Sequence, residues 1–255
     1  MPPTLILDLD NTIIGNITYQ LLAYTLCSKC KKNCPIVTNC YNEKSGIIRP
    51  NFNKFMYIMR EKFPDIKIYV YTASQKEWAL KEIKWIEKCC NLRFDRPILT
   101  RDDCIEINNS YIKSIQKINK KIKTIDKSNL LIIDNNDVFL DCKDSFLKCP
   151  DYNYICFIDL WKILPKNMFK KEDILIYMQK LTKEGYVNPY NFDDIGDNLE
   201  QSLKYLSWFH KKISIIHKIN KRSHNDSFWN NLSKIAYSVN YFNDIKMIYN
   251  QNIKT

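Results

Sequence analysis

Hydrophobic and polar positions divide this chain into short apolar runs and longer stretches with helical spacing. Leu5-Ile6-Leu7, Ile68-Tyr69-Val70-Tyr71 and Leu130-Leu131-Ile132-Ile133 are unbroken apolar runs, the pattern of strands buried on both faces. A fourth, Ile155-Cys156-Phe157-Ile158, ends at Asp159. Elsewhere apolar residues recur every three or four positions. Asn51 to Phe63 carries Phe52, Phe55, Met56 and Met59 and is bracketed by Pro50 and Pro64, which predicts a helix. Gln75 to Cys90, with Trp78, Ile83 and Ile86, predicts a second, and Thr18 to Cys27, with Leu21, Leu22 and Leu26, a shorter one. Strands alternating with helices predict an α/β fold, a parallel sheet with helices on both faces.

The pattern changes after residue 184. From Gly185 to Asn198 turn formers and acids prevail, among them Asp193, Asp194 and Asp197. We expect one domain over 1–184, a linker over 185–198 and a separate extension over 199–255. In the extension Leu199, Leu203, Leu206, Phe209, Ile213, Ile216 and Ile219 keep helical spacing. After a polar break at Lys221 to Asp226, so do Phe228, Leu232, Ile235, Val239, Phe242, Ile245 and Ile248. Two amphipathic helices in a hairpin satisfy this spacing.

Composition adjusts the picture in three places. Hydrophobic residues make up 45% of the 255, enough for a substantial core. Only four glycines are present, which argues against a glycine-rich nucleotide loop. The net charge is +11 and draws acidic, phosphorylated or nucleic-acid partners at long range. From Glu200 onward nine Lys/Arg face three acids, 9 − 3 = +6, so the hairpin is either a basic brace or a docking surface. No apolar run approaches the roughly 20 residues that span a bilayer. The chain starts Met1-Pro2-Pro3 and reaches its first strand at once, so cytosol or nucleus is expected, without secretion and without a membrane. Ten cysteines then read as thiols or metal ligands. Cys27, Cys30, Cys34 and Cys40 fall within an insertion at 16–48 and could hold zinc or remain ordinary reduced cysteines.

The chemistry gathers at the ends of the apolar runs. The first stops at Asp8-Leu9-Asp10-Asn11-Thr12. Ligands of open α/β sheets bind beyond the carboxyl ends of the strands. Two carboxylates there repel each other unless a cation such as Mg²⁺, which takes oxygen ligands, lies between them. The second run stops at Thr72-Ala73-Ser74, and the third at Asp134-Asn135-Asn136-Asp137.

Asp8-Leu9-Asp10-Asn11-Thr12 resembles the D-x-D-x-T signature of the haloacid dehalogenase superfamily. Four further stretches resemble one branch of it, the FCP/SCP phosphatases of the RNA polymerase II C-terminal domain. These are Arg49-Pro50 with Phe55, Tyr71-Thr72-Ala73-Ser74 with Trp78-Ala79, Ser110-Tyr111-Ile112-Lys113, and Ile132-Ile133-Asp134-Asn135. The resemblance spans about Thr4 to Leu181 and implies a haloacid-dehalogenase-like Rossmannoid sheet. It further implies a Mg²⁺-dependent serine/threonine phosphatase. Asp8 would be the nucleophile that forms an aspartyl-phosphate, and Asp10 the general acid and base. Thr72 and Lys113 would bind the phosphoryl oxygens, with Asp134 orienting Lys113. Mg²⁺ would be held by Asp8, Asp10 (through its backbone carbonyl) and Asn135. About forty residues separate Thr72 from Lys113, short for a large cap, so an open site suited to a phosphorylated polypeptide is expected.

The chain departs from the pattern after Asp10, where Asn11-Thr12-Ile13-Ile14-Gly15 stands, and in the cysteine-bearing insertion. The C-terminal hairpin has no counterpart in the minimal family domain. Two other readings stay open: a nucleic-acid-end or nucleotide phosphatase, favoured by the basic surface, and a catalytically idle module that binds phosphopeptide or nucleic acid.

Overall fold

The computed structural model describes residues 1–15, 46–122, 125–155 and 213–253. The strands are β1 (Thr4–Leu7), β2 (Lys67–Val70), β3 (Ile105–Ile107), β4 (Ser110–Ile112), β5 (Leu130–Asp134) and β6 (Phe146–Lys148). The helices are α1 (Phe52–Lys62), α2 (Lys76–Cys89), α3 (Ile115–Ile118), α4 (Ile213–His224), α5 (Phe228–Ser238) and α6 (Asp244–Ile253). Four strands form a parallel sheet in the order β2-β1-β5-β6.

The three apolar runs are three of its four strands, with β1 and β5 in the middle and β2 at one edge. Leu5 of β1 lies level with Ile68 of β2 and Leu131 of β5, so all three strands end at the same height. Alternate residues face opposite sides. Ile6, Tyr69, Leu130 and Ile132 share one core with Ile115 and Ile118 of α3. Every residue of β1 and β5 is buried, which is why neither shows polar alternation in sequence.

α1 begins where the sequence placed it. Its buried face is Phe52, Phe55, Met56 and Met59, and Arg60 and Lys62 sit in the last turn, where the helix dipole favours cations. Trp229 of α5 is fully buried against that face, its ring 5.3 Å from Phe52 and 4.8 Å from Phe55.

Asparagine takes the backbone role that glycine usually fills. Asn11, Asn51, Asn91, Asn108 and Asn109 all have positive φ, between 49° and 65°. Asparagine tolerates this region because its short amide can hydrogen-bond locally. Asn108-Asn109 forms the two-residue turn of the antiparallel β3–β4 hairpin, a position that needs two left-handed residues.

Two elements differ from expectation. The short run Phe146–Lys148 is a parallel edge strand that its mixed sequence does not announce. The second helix expected in the extension is interrupted. It stops at Val239, whose extended backbone (φ −84°, ψ 152°) ends α5, and restarts at Asp244. Val239 and Phe242 in the turn are themselves buried, with Phe242 edge-on to Phe63 at 5.4 Å. Apolar spacing therefore runs straight through a chain reversal. The helical pair is α5 and α6, and only α4 is described of the helix expected before it.

The chain divides into two compact units. One comprises 1–15, 48–153 and 223–255, and the other 16–47 and 154–222. In the second, Asn220 pairs with the backbone of Ile155, accepting from its N–H at 2.8 Å and donating to its carbonyl at 2.7 Å. The short helix expected at Thr18 to Cys27, the cysteines 27, 30, 34 and 40, most of the strand expected at Ile155 to Ile158, and the 185–198 stretch lie outside the described residues. No helix among the described residues is long and apolar enough to cross a membrane.

Candidate active site

β1 delivers Asp8 and Asp10. The ladder continues one residue beyond the strand, with Asp8 N–H donating to Ile133 carbonyl at 3.0 Å. The chain then reverses: Ile13 and Ile14 both donate to the Leu9 carbonyl, and Asn11 takes φ 57°. Asp8 and Asp10 thus stand on a tight loop at the strand tip, with Leu9 between them packed into the interior.

Lys113 is the centre of the charge arrangement. Its backbone is fixed by Val138 and Leu140, donating to the Val138 carbonyl at 2.9 Å and accepting from Leu140 N–H at 3.2 Å. Immediately after it, Asp141 caps α3 by accepting from Ser114 Oγ, Ile115 N–H and Gln116 N–H at 2.8–2.9 Å. So held, the buried Lys113 Nζ donates to Asp8 Oδ1 at 2.6 Å and to Asp134 Oδ2 at 2.7 Å. The rings of Tyr71 and Phe139 flank the ammonium, each 5.7 Å away. Burial works against the charged amine, but Asp134 and Asp8 overcome it and hold its pKa well above the ordinary lysine value.

For Asp8 the balance is reversed. Burial, reinforced by Asp134 and Asp10, raises its pKa to about 7 against the pull of Lys113. Asp10 is raised as well, by burial first, while hydroxyls from Ser74 and Thr72 favour its charged form. Those hydroxyls donate to the same oxygen, Asp10 Oδ2, from Ser74 at 2.7 Å and Thr72 at 3.1 Å. Thr72 is set by its own N–H on the Leu99 carbonyl, and its Oγ1 accepts from Ser74 N–H at 3.0 Å.

Asn135 follows Asp134 at the tip of β5. Its Oδ1 accepts from Thr12 Oγ1 at 3.1 Å, and its Nδ2 donates to Asp151 Oδ1 at 3.0 Å. Every residue expected at the site thus stands at the tips of β1, β2 and β5 or is hydrogen-bonded to one of them. Sequence reasoning passed over Ser74, Thr12 and Asp151, although Ser74 and Thr12 lie inside the stretches it singled out. It also passed over Arg101, whose Nε donates to Ala73 carbonyl at 2.8 Å and whose guanidinium stacks 4.6 Å over Tyr111.

The donor set suits a hard divalent cation. Asp8, Asp10 and Asp134 against Lys113 leave a formal charge of 1 − 3 = −2 when all are ionised, which would repel a phosphate dianion. Asp8 uses Oδ1 on Lys113, and Asn135 Oδ1 has one lone pair beyond the bond from Thr12. Among the described residues no three His, Cys, Asp or Glu side chains gather as a metal site. A cation here would take mixed carboxylate, amide and carbonyl oxygens with water, as Mg²⁺ accepts.

The site thus combines an acid on a strand-tip loop, a lysine between two carboxylates and an acid held by two hydroxyls. The chain belongs to the NLI interacting factor-like phosphatase family, whose profile matches residues 3–174. Among solved structures it is similar to an arginine-to-alanine variant of fission yeast RNA polymerase II CTD phosphatase Fcp1 bound to beryllium fluoride. That match has 18% identity and a TM-score of 0.38, and covers 85% of this chain and 66% of that one. A second structure, of Fcp1, described as an essential RNA polymerase II CTD phosphatase, matches with 18% identity, a TM-score of 0.40 and the same coverage. The chain therefore spans just under two thirds of the length of these neighbours. No curated protein matches it.

Proposed function

We propose that the protein is a Mg²⁺-dependent serine/threonine phosphatase acting on phosphorylated polypeptides through an aspartyl-phosphate. The observation that carries this reading is Lys113 Nζ between Asp8 and Asp134, at 2.6 and 2.7 Å. A charge fixed at that point neutralises the nucleophile and faces an incoming phosphoryl group. Bound at Asp8, the Asp10 carbonyl and Asn135, Mg²⁺ would offset the remaining negative charge.

Asp8 attacks phosphorus as the bond to the seryl or threonyl oxygen breaks, and Asp10 passes its proton to that leaving oxygen. Burial keeps Asp10 protonated to higher pH than an exposed carboxyl, as an acid catalyst requires. Asp10, now ionised, takes a proton from water attacking the aspartyl-phosphate, which frees phosphate and restores Asp8. Thr72 and Lys113 supply hydrogen bonds to the phosphoryl oxygens. Arg101, anchored on Ala73 and Tyr111, adds a cation beside the Thr72 loop and favours substrates with acidic flanks. The substrate class that the fold neighbours' names print, the RNA polymerase II C-terminal domain, is the first polypeptide to try.

The test is release of phosphate from an aryl phosphate with Mg²⁺, comparing wild type with Asp8→Asn and Asp10→Asn. Equal rates in all three remove the catalytic reading. The +11 charge favours a second substrate class, nucleic-acid ends. Preferential turnover of a 3′-phosphorylated oligonucleotide over a phosphoserine peptide would move the assignment there.

A further inference from the structure

We propose that Asp151 is a positioning residue that decides which end of the Asn135 amide faces the cation. An asparagine side chain has two orientations of nearly equal shape, one presenting oxygen and the other NH₂. Only the oxygen can bind a metal ion, so something must choose. Among the described residues two side chains hydrogen-bond to the amide: the Thr12 hydroxyl, 3.1 Å from Oδ1, and the Asp151 carboxylate, 3.0 Å from Nδ2.

Thr12 cannot choose. Its hydroxyl accepts from Asn135 N–H at 3.2 Å and lies 3.6 Å from Cys149 Sγ. A hydroxyl rotates and would donate to Oδ1 or accept from NH₂ equally well. A carboxylate only accepts. In the reversed orientation Asn135 oxygen would meet Asp151 oxygen at 3.0 Å, a repulsive contact that also forfeits a charge-assisted hydrogen bond. Asp151 is therefore the group whose chemistry discriminates.

Its loop is held firmly enough to do so. Cys149 N–H donates to the Asp134 carbonyl at 2.9 Å, and Tyr152 N–H to the Asn11 carbonyl at 2.8 Å. These bonds pin residues 149–152 between the Asp8–Asp10 loop and the tip of β5. Tyr152 is itself buried, with the Arg49 guanidinium 5.5 Å from its ring. Asp151 stands sixteen positions after Asn135, and no spacing rule links the two.

The inference rests on the Mg²⁺ reading above, and Mn²⁺ binding followed by electron paramagnetic resonance separates the two. In wild type, absence of a bound Mn²⁺ signal overturns the cation reading and this inference with it. If wild type binds, Asp151→Ala and Asp151→Ser should each weaken Mn²⁺ affinity by about 10–100-fold, the usual cost of losing a group that orients a ligand. Serine keeps the site polar but, like Thr12, cannot choose. Asp151→Glu keeps an acceptor-only carboxylate and should keep most of the affinity. Unchanged binding in Asp151→Ala overturns the inference and leaves the cation reading standing. A loss in Asp151→Glu as large as that in Asp151→Ala overturns it too, because keeping an acceptor-only group would then make no difference.

Discussion

Replacing Asp226 by alanine is the sharpest test of how the catalytic unit is held together. Arg49 is fully buried beside the site loop, with its own N–H on the Ile13 carbonyl at 2.8 Å. Its guanidinium makes a bidentate pair with Asp226, at 2.9 Å from Nε and 2.8 Å from Nη2. Phe228 covers it at 4.5 Å and Tyr152 at 5.5 Å, while Nη1 has no hydrogen-bond partner among the described residues. Asp226→Ala strips away the remaining two partners and leaves a buried, uncompensated cation, a change that costs about 3–5 kcal/mol. Asp226 Oδ1 also accepts from Phe228 N–H at the start of α5, and losing that hydrogen bond adds about 1 kcal/mol. In a protein of this size such a loss lowers the melting temperature by roughly 10 °C. Urea unfolding followed by circular dichroism gives the number directly, with an unchanged slope expected if only stability has moved. Asp226→Asn keeps an acceptor and should lose less, about 1–3 kcal/mol. Arg49→Met combined with Asp226→Leu should be milder than Asp226→Ala alone, since it removes both charges together. A loss below about 1 kcal/mol in Asp226→Ala would refute the reasoning.

Three further outcomes follow from the site. Lys113→Met should cost at least about 10²–10³-fold in turnover by removing the fixed charge, and should destabilise the protein, because Asp8 and Asp134 lose their shared partner. Adding Asp134→Asn should restore part of the stability but not the rate; recovery of both would dissociate Lys113 from catalysis. Ser74→Ala removes a donor that favours ionised Asp10, so the limb of the kcat/KM pH profile that reports this acid should move to higher pH; an unmoved limb would detach Ser74 from it. Without divalent cation, stability should fall as pH rises from about 4 to 7. Asp8 is raised from 3.8 to about 7 in the folded protein, so its favourable contribution is complete below the unfolded pKa and is lost as it ionises. Mg²⁺ should flatten that slope in thermal melts at pH 5 and 8, and an identical slope with and without Mg²⁺ would argue against a cation at Asp8.

Three of the sheet's four strands, β1, β2 and β5, were legible because burial leaves an unbroken apolar run, and each run ended where the site begins. α1 and α2 were legible because one-sided burial imposes helical spacing, sharpened for α1 by Pro50 and Pro64. Phe146–Lys148 was not, since an edge strand with one buried position has no pattern to show. The turn between α5 and α6 was hidden for the opposite reason: Val239 and Phe242 enter the core and continue the spacing of the helices around them. Within the site, residues adjacent to a strand tip could be found by local sequence. Asp151 and Asp226 could not, because their partners lie 16 and 177 positions away and only the folded chain brings them together.

The Arg49–Asp226 pair also sets an order of events during synthesis. β1 and Arg49 leave the ribosome well before the carboxylate that neutralises Arg49, which lies 177 positions after that arginine. Until that segment emerges, a nascent chain carries an unmatched guanidinium and an uncovered Phe52–Phe55 face. Products of premature termination before Asp226 should accordingly be substrates for chaperones and proteases rather than partial enzymes.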